Sequence, residues 1–309
     1  MASCETELWN LVREIEPSQT QKDGAIRSHN YLRDILCTGQ MASRIVDHYL
    51  SGSYSRDTAI KPLDDVDIIF IIDPTKWSSG LAGLLSMHPE PSAVLSTFAN
   101  ALRYRYPVSS VYGQRRSIRL ELYHLDIDVV PAINAERYGD FILIPDKDSG
   151  NWIKSSPKRH SDKAIAINKK QNGKFKPLVK LLKHWNGNLP STASLKSFTI
   201  ETIAVRVFDT INYQSLEEGL LKYFDFTTYL AGEKTVVPWK HACGISFSWF
   251  ECNVPDAAGT GSNTAAGVDE ERKKRFIENA VRSRNKMVEA RDAYSAETAC
   301  RRIAEALRI

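Results

Sequence analysis

The sequence predicts a two-lobed protein, with a mixed α/β lobe over residues 1–155 and a helical lobe over residues 156–309. Three observations predict it. Val66-Asp67-Ile68-Ile69-Phe70-Ile71-Ile72 is a β-branched run stopped by Asp73-Pro74, the pattern of a buried strand. An amphipathic helical pattern from Pro91 to Tyr106 is followed by short strand patterns at Val108 to Val111, Ile118 to Leu122, Leu125 to Val130 and Phe141 to Ile144. After Pro157 the strand signals give way to helical spacing. The length of 309 residues suits two domains or one two-lobed unit. With 42% hydrophobic and 25% charged residues and a mean hydropathy of −0.33, collagen-like, fibrous and disordered chains are excluded.

The N-terminal residues Met1 to Glu16 carry Glu5, Glu7, Glu14 and Glu16 against Arg13, the opposite of a signal peptide's basic start and apolar middle. No apolar run approaches the roughly 20 residues of a membrane span, so a cytoplasmic protein without membrane partners is expected. Five cysteines, at 4, 37, 243, 252 and 300, form no CxxC pair, and free thiols rather than disulfides are expected. His241, Cys243 and Cys252 lack a fourth ligand at finger spacing, which favours buried thiols over zinc. Gln19 to Leu50 reads as two helices broken near Thr38-Gly39 and leading into Ser51-Gly52-Ser53.

Net charge is only +4, yet Lys154 to Lys183 holds ten basic residues against Asp162, a local +9. Such a run is either a solvated face or an anion site. Within it, Leu178, Leu181, Leu182 and Trp185 form one helical stripe, with Pro177 near the helix start. Lys176, Lys180 and Lys183 fall within about 60° of one another on the other side, so one face packs and the other is cationic. Pro255 to Gly267 has no large apolar side chain and reads as a flexible loop. Asp269, Glu270 and Glu271 open a helix running to about Tyr294, and Ser295 caps a last one.

The chemistry gathers around Gly52 to Asp67. Gly52-Ser53 after a regular element supplies a tight turn with backbone N–H groups and a hydroxyl, which suits phosphate oxygens. Asp65 and Asp67 straddle Val66 at a strand start, so both carboxylates point to one face. Two ionised carboxylates that close repel unless a hard divalent cation lies between them. Leu125-Asp126-Ile127-Asp128-Val129-Val130 repeats the alternation. If that strand lies beside the first, Asp128 completes a triad able to hold two metal ions for phosphoryl transfer. Acids within apolar strands run against propensity, which calls for a functional reason.

The Gly-Ser turn, the gap of about a dozen residues, the Asp-x-Asp pair and the later apolar-Asp-apolar strand resemble the polymerase β superfamily. GSYSRDTAIKPLDDVDIIF followed by LDIDVVPA is similar to its cGAS/DncV-like nucleotidyltransferases, the bacterial enzymes of anti-phage (CBASS) signalling, although Asp57 stands where glycine is frequent. The resemblance implies a nucleotidyltransferase lobe and a helical lobe with the active site in the cleft between them. It implies two Mg²⁺ ions, or Mn²⁺ in their place, held by Asp65, Asp67 and Asp128, with Asp128 on the ion that activates the acceptor hydroxyl. Gly52, Ser53 and Lys183 would hold the triphosphate, Lys183 lying in a helix similar to the family's KLLKHW-type segment. Ser197 would lie near the phosphates and Phe198 would stack on a base, the alternative for Phe198 being core packing.

The implied activity joins NTPs, ATP or GTP foremost, into a cyclic di- or trinucleotide that gates an effector. Regulatory proteins that bind or conjugate the synthase are implied as partners, while a nucleic-acid activator is not, since no His/Cys metal thumb is present. Ile309 lacks the terminal glycine that ubiquitin-like conjugation often uses. The alternatives are a polymerase β-like transferase acting on RNA or protein, and a non-catalytic nucleotide sensor, against which the intact triad argues.

Overall fold

The computed structural model of the chain describes residues 4–77, 88–135, 139–230, 232, 242–248 and 251–308. Two compact units form, Pro17–Ser161 and Met1–Glu16 together with Asp162–Ile309. The first helix, α1 (Glu5–Ile15), therefore belongs with the helical unit, although the sequence reading placed it in the α/β lobe.

The Pro17–Ser161 unit carries α2 (Gln19–Thr38), the single turn α3 (Gly52–Ser55) and α4 (Pro91–Arg105) around one sheet. Its strands are β1 (Ile45–Ser51), β2 (Asp65–Ile72), β3 (Ser110–Gly113), β4 (Ile118–Glu121), β5 (Asp126–Asn134), β6 (Ile142–Asp146) and β7 (Asn151–Ser155). The order is β1-β2-β5-β4-β3, with β6 joining the end of β5 and β7 joining β6. Among the described strands of this sheet only the pair β2 and β5 is parallel. The second expected N-terminal helix is instead a 3₁₀ turn at Ala42–Arg44 followed by β1. Ile45, Val46 and Tyr49 satisfy a helical stripe, but two adjacent β-branched residues favour a strand, and β2 offers antiparallel partners from Ile72 to Asp67.

Alternation along the strands sorts the two faces. Val66, Ile68, Phe70 and Ile72 of β2, with Ile127 and Val129 of β5, pack against Leu32 and Leu36 of α2 and Val94, Phe98 and Leu102 of α4. Each fully buried side chain of this size stabilises by about 1.5 to 3 kcal/mol. Ile69 and Ile71 of β2 and Ala132 of β5 face the other way, with Ile142 of β6. By the same period of two, Asp65, Asp67, Asp126 and Asp128 belong to that second face.

The helical unit contains α5 (Pro157–Lys170, which enters from the first unit), α6 (Phe175–Gly187), α7 (Ser197–Thr210), α8 (Leu216–Leu230), α9 (Glu270–Arg291) and α10 (Ala296–Leu307), with a two-stranded ribbon of β8 (Ser246–Ser248) and β9 (Glu251–Asn253). Trp185 of α6 is fully buried among Phe224 and Phe276, and its indole N–H donates to Ser283 Oγ at 2.9 Å. Asp269 and Ser295 cap α9 and α10 as their sequence signals predict. Glu5 accepts from the backbone N–H of Leu216 at 2.8 Å, so α1 caps α8.

Two expectations fail here. Pro255 to Gly267 is an anchored loop, not a flexible one. Arg206 of α7 donates to the carbonyls of Pro255 and Asp256, Asp256 accepts from Thr260 Oγ1 at 2.6 Å, and Ala257, Ala258 and Ala265 are buried. Small side chains here serve close packing. Cys4 and Cys300 form a disulfide, against the expectation of thiols throughout, whereas Cys37, Cys243 and Cys252 are not disulfide-bonded. His241 lies outside the described residues. Among the described residues no helix is long and apolar enough to cross a membrane.

Candidate active site

Parallel pairing of β2 with β5 sets Asp65 opposite Asp126 and Asp67 opposite Asp128. The two strands are neighbours, in the register that aligns the carboxylates. Val66 and Ile127, fully buried between the paired acids, lock that register because a one-residue slip would drive the acids into the core.

The turn after β1 reaches the same place from the other side, since Ser51 pairs with Asp67. Gly52 has φ +70, and a Cβ built on it would stand 1.8 Å from Asp67 Oδ2. Glycine is required here on both counts, backbone angle and space. Thr58 N–H donates to the Ser53 carbonyl at 2.9 Å and Asp57 N–H to that of Tyr54 at 3.1 Å, which closes the turn. Asp57 itself sits at φ +57, a left-handed conformation that glycine adopts more readily and that aspartate visits as a single residue.

Charge on this face is unbalanced. Burial, then the neighbouring Asp65 and Asp128 carboxylates, push the Asp67 carboxyl up to about 7, against the opposing pull of Arg56 and Arg119. Arg56, the residue that ends α3, is only 8% exposed. Arg119 of β4, opposite Asp128 in register, was not singled out by sequence at all. Its Nε donates to Asp128 Oδ1 at 3.0 Å, its Nη2 to Oδ2 at 2.7 Å, and its Nη1 to Asp126 Oδ2 at 3.3 Å. These bonds, first those to Asp128, raise the Arg119 pKa further.

Three of the nucleotide-binding candidates lie in the helical unit. Lys176, Lys180 and Lys183 share one side of α6, but it is no solvated cationic face. Lys180 Nζ is 2.7 Å from Glu16 Oε1 and Lys183 Nζ is 2.8 Å from Glu201 Oε2, with the Lys183 and Glu201 side chains 4% and 3% exposed. Glu201, in the middle of α7, had no sequence signal. Ser197 and Phe198 open α7, and Phe198 is 37% exposed, which removes the core-packing alternative.

The donors on the sheet face are carboxylate oxygens on a surplus of negative charge, a set that fits a hard cation such as Mg²⁺ or Mn²⁺. The tight group of Cys4, Glu7 and Cys300 is a disulfide beside an acid and does not compete for that role. Aligned acids on two parallel strands beside a glycine-serine turn define a nucleotidyltransferase fold of the polymerase β type.

The model of the Second Messenger Oligonucleotide or Dinucleotide Synthetase domain matches residues 2–168, and the chain belongs to that family, the cGAS/DncV-like nucleotidyltransferases. The cyclic AMP-AMP-AMP synthase of Acinetobacter sp. is 34% identical over 224 residues, 69% of this chain and 61% of that relative. The chain thus spans about three-fifths of that curated relative's length. The structure of CdnC from E. coli MS115-1 with ATP aligns at a TM-score of 0.73 and 19% identity, covering 98% of this chain and 97% of that one. The CdnC:HORMA-deltaN complex aligns with the same score, identity and coverage. At that identity the likeness establishes the fold.

Proposed function

We propose that this chain joins nucleoside triphosphates into a cyclic di- or trinucleotide second messenger of anti-phage defence, releasing pyrophosphate. The observation that carries the reading is the in-register pairing of Asp65-Val66-Asp67 with Asp126-Ile127-Asp128 beside Gly52. Asp65, Asp67 and Asp128 hold two Mg²⁺ ions, or Mn²⁺. When bound, these ions neutralise the phosphates and make the acceptor hydroxyl a better nucleophile. The acceptor oxygen bonds to the α-phosphorus as the α–β bridge breaks and pyrophosphate leaves, and the last such attack, the second for a dinucleotide and the third for a trinucleotide, closes the ring.

The protein's own part is positioning. Gly52 and Ser53 orient the triphosphate. Lys183 contacts phosphate by exchanging its bond to Glu201, Ser197 donates a hydroxyl, and the Phe198 ring stacks on a base, roles supported by family resemblance and by Phe198's exposure. ATP is the first substrate to try, because a relative is named a cyclic AMP-AMP-AMP synthase and CdnC was solved with ATP. These substrates imply a cytoplasmic site of action. A messenger-gated effector is the downstream partner, and a HORMA protein is the regulatory class supported by the CdnC complex.

Mass spectrometry of products from all four NTPs with Mg²⁺ or Mn²⁺ tests the reading. The expected result is a small phosphatase-resistant product without added macromolecule. Label transfer only when RNA or protein is supplied would replace cyclisation with transfer to a macromolecule.

A further inference from the structure

We propose that Arg119 is a positioning residue that fixes the Asp128 carboxylate and weakens cation binding there, a role that rests on the metal-site reading above. Arg119 and Asp128 are directly opposed on antiparallel β4 and β5, so the guanidinium lies over the acid without spanning a turn or loop. Both Asp128 oxygens are engaged, at 3.0 and 2.7 Å, by two adjacent N–H groups of one planar fork. A bidentate fork defines the plane of a carboxylate, which a single hydrogen bond does not.

Asp128 is 7% exposed and Arg119's side chain 26% exposed, so the pair sits where water screens it incompletely. The third contact, to Asp126 at 3.3 Å, explains how two acids spaced by one residue share a single cation. Asp126 gives one oxygen to the guanidinium and Asp128 gives both, which separates two acids that the sequence presents alike.

A cation that binds Asp128 must share or take one oxygen from Arg119 and must approach a fixed positive charge. Outer partners of metal ligands usually strengthen metal binding and cost about 10- to 100-fold in affinity or activity when removed. A cationic partner reverses the first effect and keeps the second. Removing it leaves a more negative site that binds cations more tightly but holds Asp128 in no defined orientation. Loss of folding would instead weaken both binding and turnover.

The test uses the full chain and Mn²⁺ alone as probe, followed by electron paramagnetic resonance, with thermal melting and steady-state kinetics in parallel. For Arg119→Ala the apparent Kd for Mn²⁺ should fall about 3- to 10-fold, while kcat at saturating metal and NTP falls about 10- to 100-fold with little change in KM. Arg119→Lys keeps the charge without the fork, so Mn²⁺ affinity should return towards wild type while kcat stays low. In an Asp128→Asn background Arg119→Ala should lower kcat no further.

Weaker Mn²⁺ binding by a folded Arg119→Ala protein, or wild-type kcat in both Arg119 variants, would overturn the assignment. If Arg119→Ala does not fold, Arg119→Lys decides, since its low kcat at normal Mn²⁺ affinity is expected only from a positioning role. The Mn²⁺ titration needs no substrate, so a wild-type protein that makes no product from any NTP counts against the proposed activity and leaves the Arg119 result standing.

Discussion

The sheet face with Asp67 and the helix face with Lys183 both gather charged side chains, but they keep those charges differently. On the sheet, Asp65, Asp67, Asp126 and Asp128 share one face with Arg119 and Arg56 nearby, and Asp67 is left protonation-prone, near pKa 7. On α6, Lys180 and Lys183 are each matched to one acid, Glu16 and Glu201. The first region is electrostatically incomplete and calls for a cation. The second is balanced, so a phosphate gains Lys183 only by displacing Glu201. Surplus charge marks the place where a ligand supplies part of the structure, and paired charge marks a place where a ligand must compete with it.

The sharpest break of this contrast is Asp67→Asn. Product formation should drop about 10³-fold or more, because the aligned acids hold the charges on which phosphoryl transfer depends. The melting temperature should hold or rise, since a repelling group is removed. Mn²⁺ should raise the wild-type melting temperature, by the equivalent of about 2.7 kcal/mol at a hundred times its Kd, and should leave the variant unmoved. A variant that melts lower and still responds to Mn²⁺ would show that the sheet is not under charge strain.

Gly52→Ala comes next. Its Cβ would overlap Asp67 Oδ2 at φ +70, so the turn must shift, with about 10²-fold loss of turnover and about 1 to 3 kcal/mol of destabilisation, read by kinetics and denaturant melts.

On the balanced side the dominant effect should be on stability. Lys183→Ala strands buried Glu201 and should cost about 3 to 5 kcal/mol, whereas Lys183→Met combined with Glu201→Leu should recover most of it. A KM for ATP raised in the stable double variant would assign Lys183 to phosphate, and an unchanged KM would leave it a structural pair. The smallest stability change is expected for Phe198→Ala, within about 0.5 kcal/mol because the ring is partly exposed. If Phe198 stacks on a base, ATP affinity in a direct titration should weaken by about 1 to 3 kcal/mol all the same.

The same contrast explains what the amino-acid sequence made legible. β2 and β5 stand out because acids alternate with buried β-branched residues, a pattern with few structural excuses, and the in-register acids of the two strands follow from it. β1 was misread because Ile45, Val46 and Tyr49 fit two periodicities, and only the ladder with β2 decides between them. Arg119 resembles any arginine on a half-buried strand until β4 is laid against β5. Glu201 lies among Ile200, Thr202 and Ile203 with nothing in its own neighbourhood to name Lys183, eighteen positions earlier. Cys4 and Cys300 are separated by 296 positions, and no local spacing pairs them. What escaped the sequence reading was in each case a partner brought in by tertiary structure.

The helical unit is discontinuous along the chain, α1 coming before the Pro17–Ser161 unit and all its other helices after it. Leu8, Val12 and Ile15 of α1 are buried, its Glu5 caps α8, and Cys4 is bonded to Cys300 in α10. During synthesis, then, the sheet with its carboxylates has its whole sequence by residue 161, while α1, made before it, waits for α10 before its bonds can close. The order of translation and the order of assembly are reversed for that segment, so a chain stopped before α10 can retain the full sequence of the sheet yet lack the other half of α1's clasp.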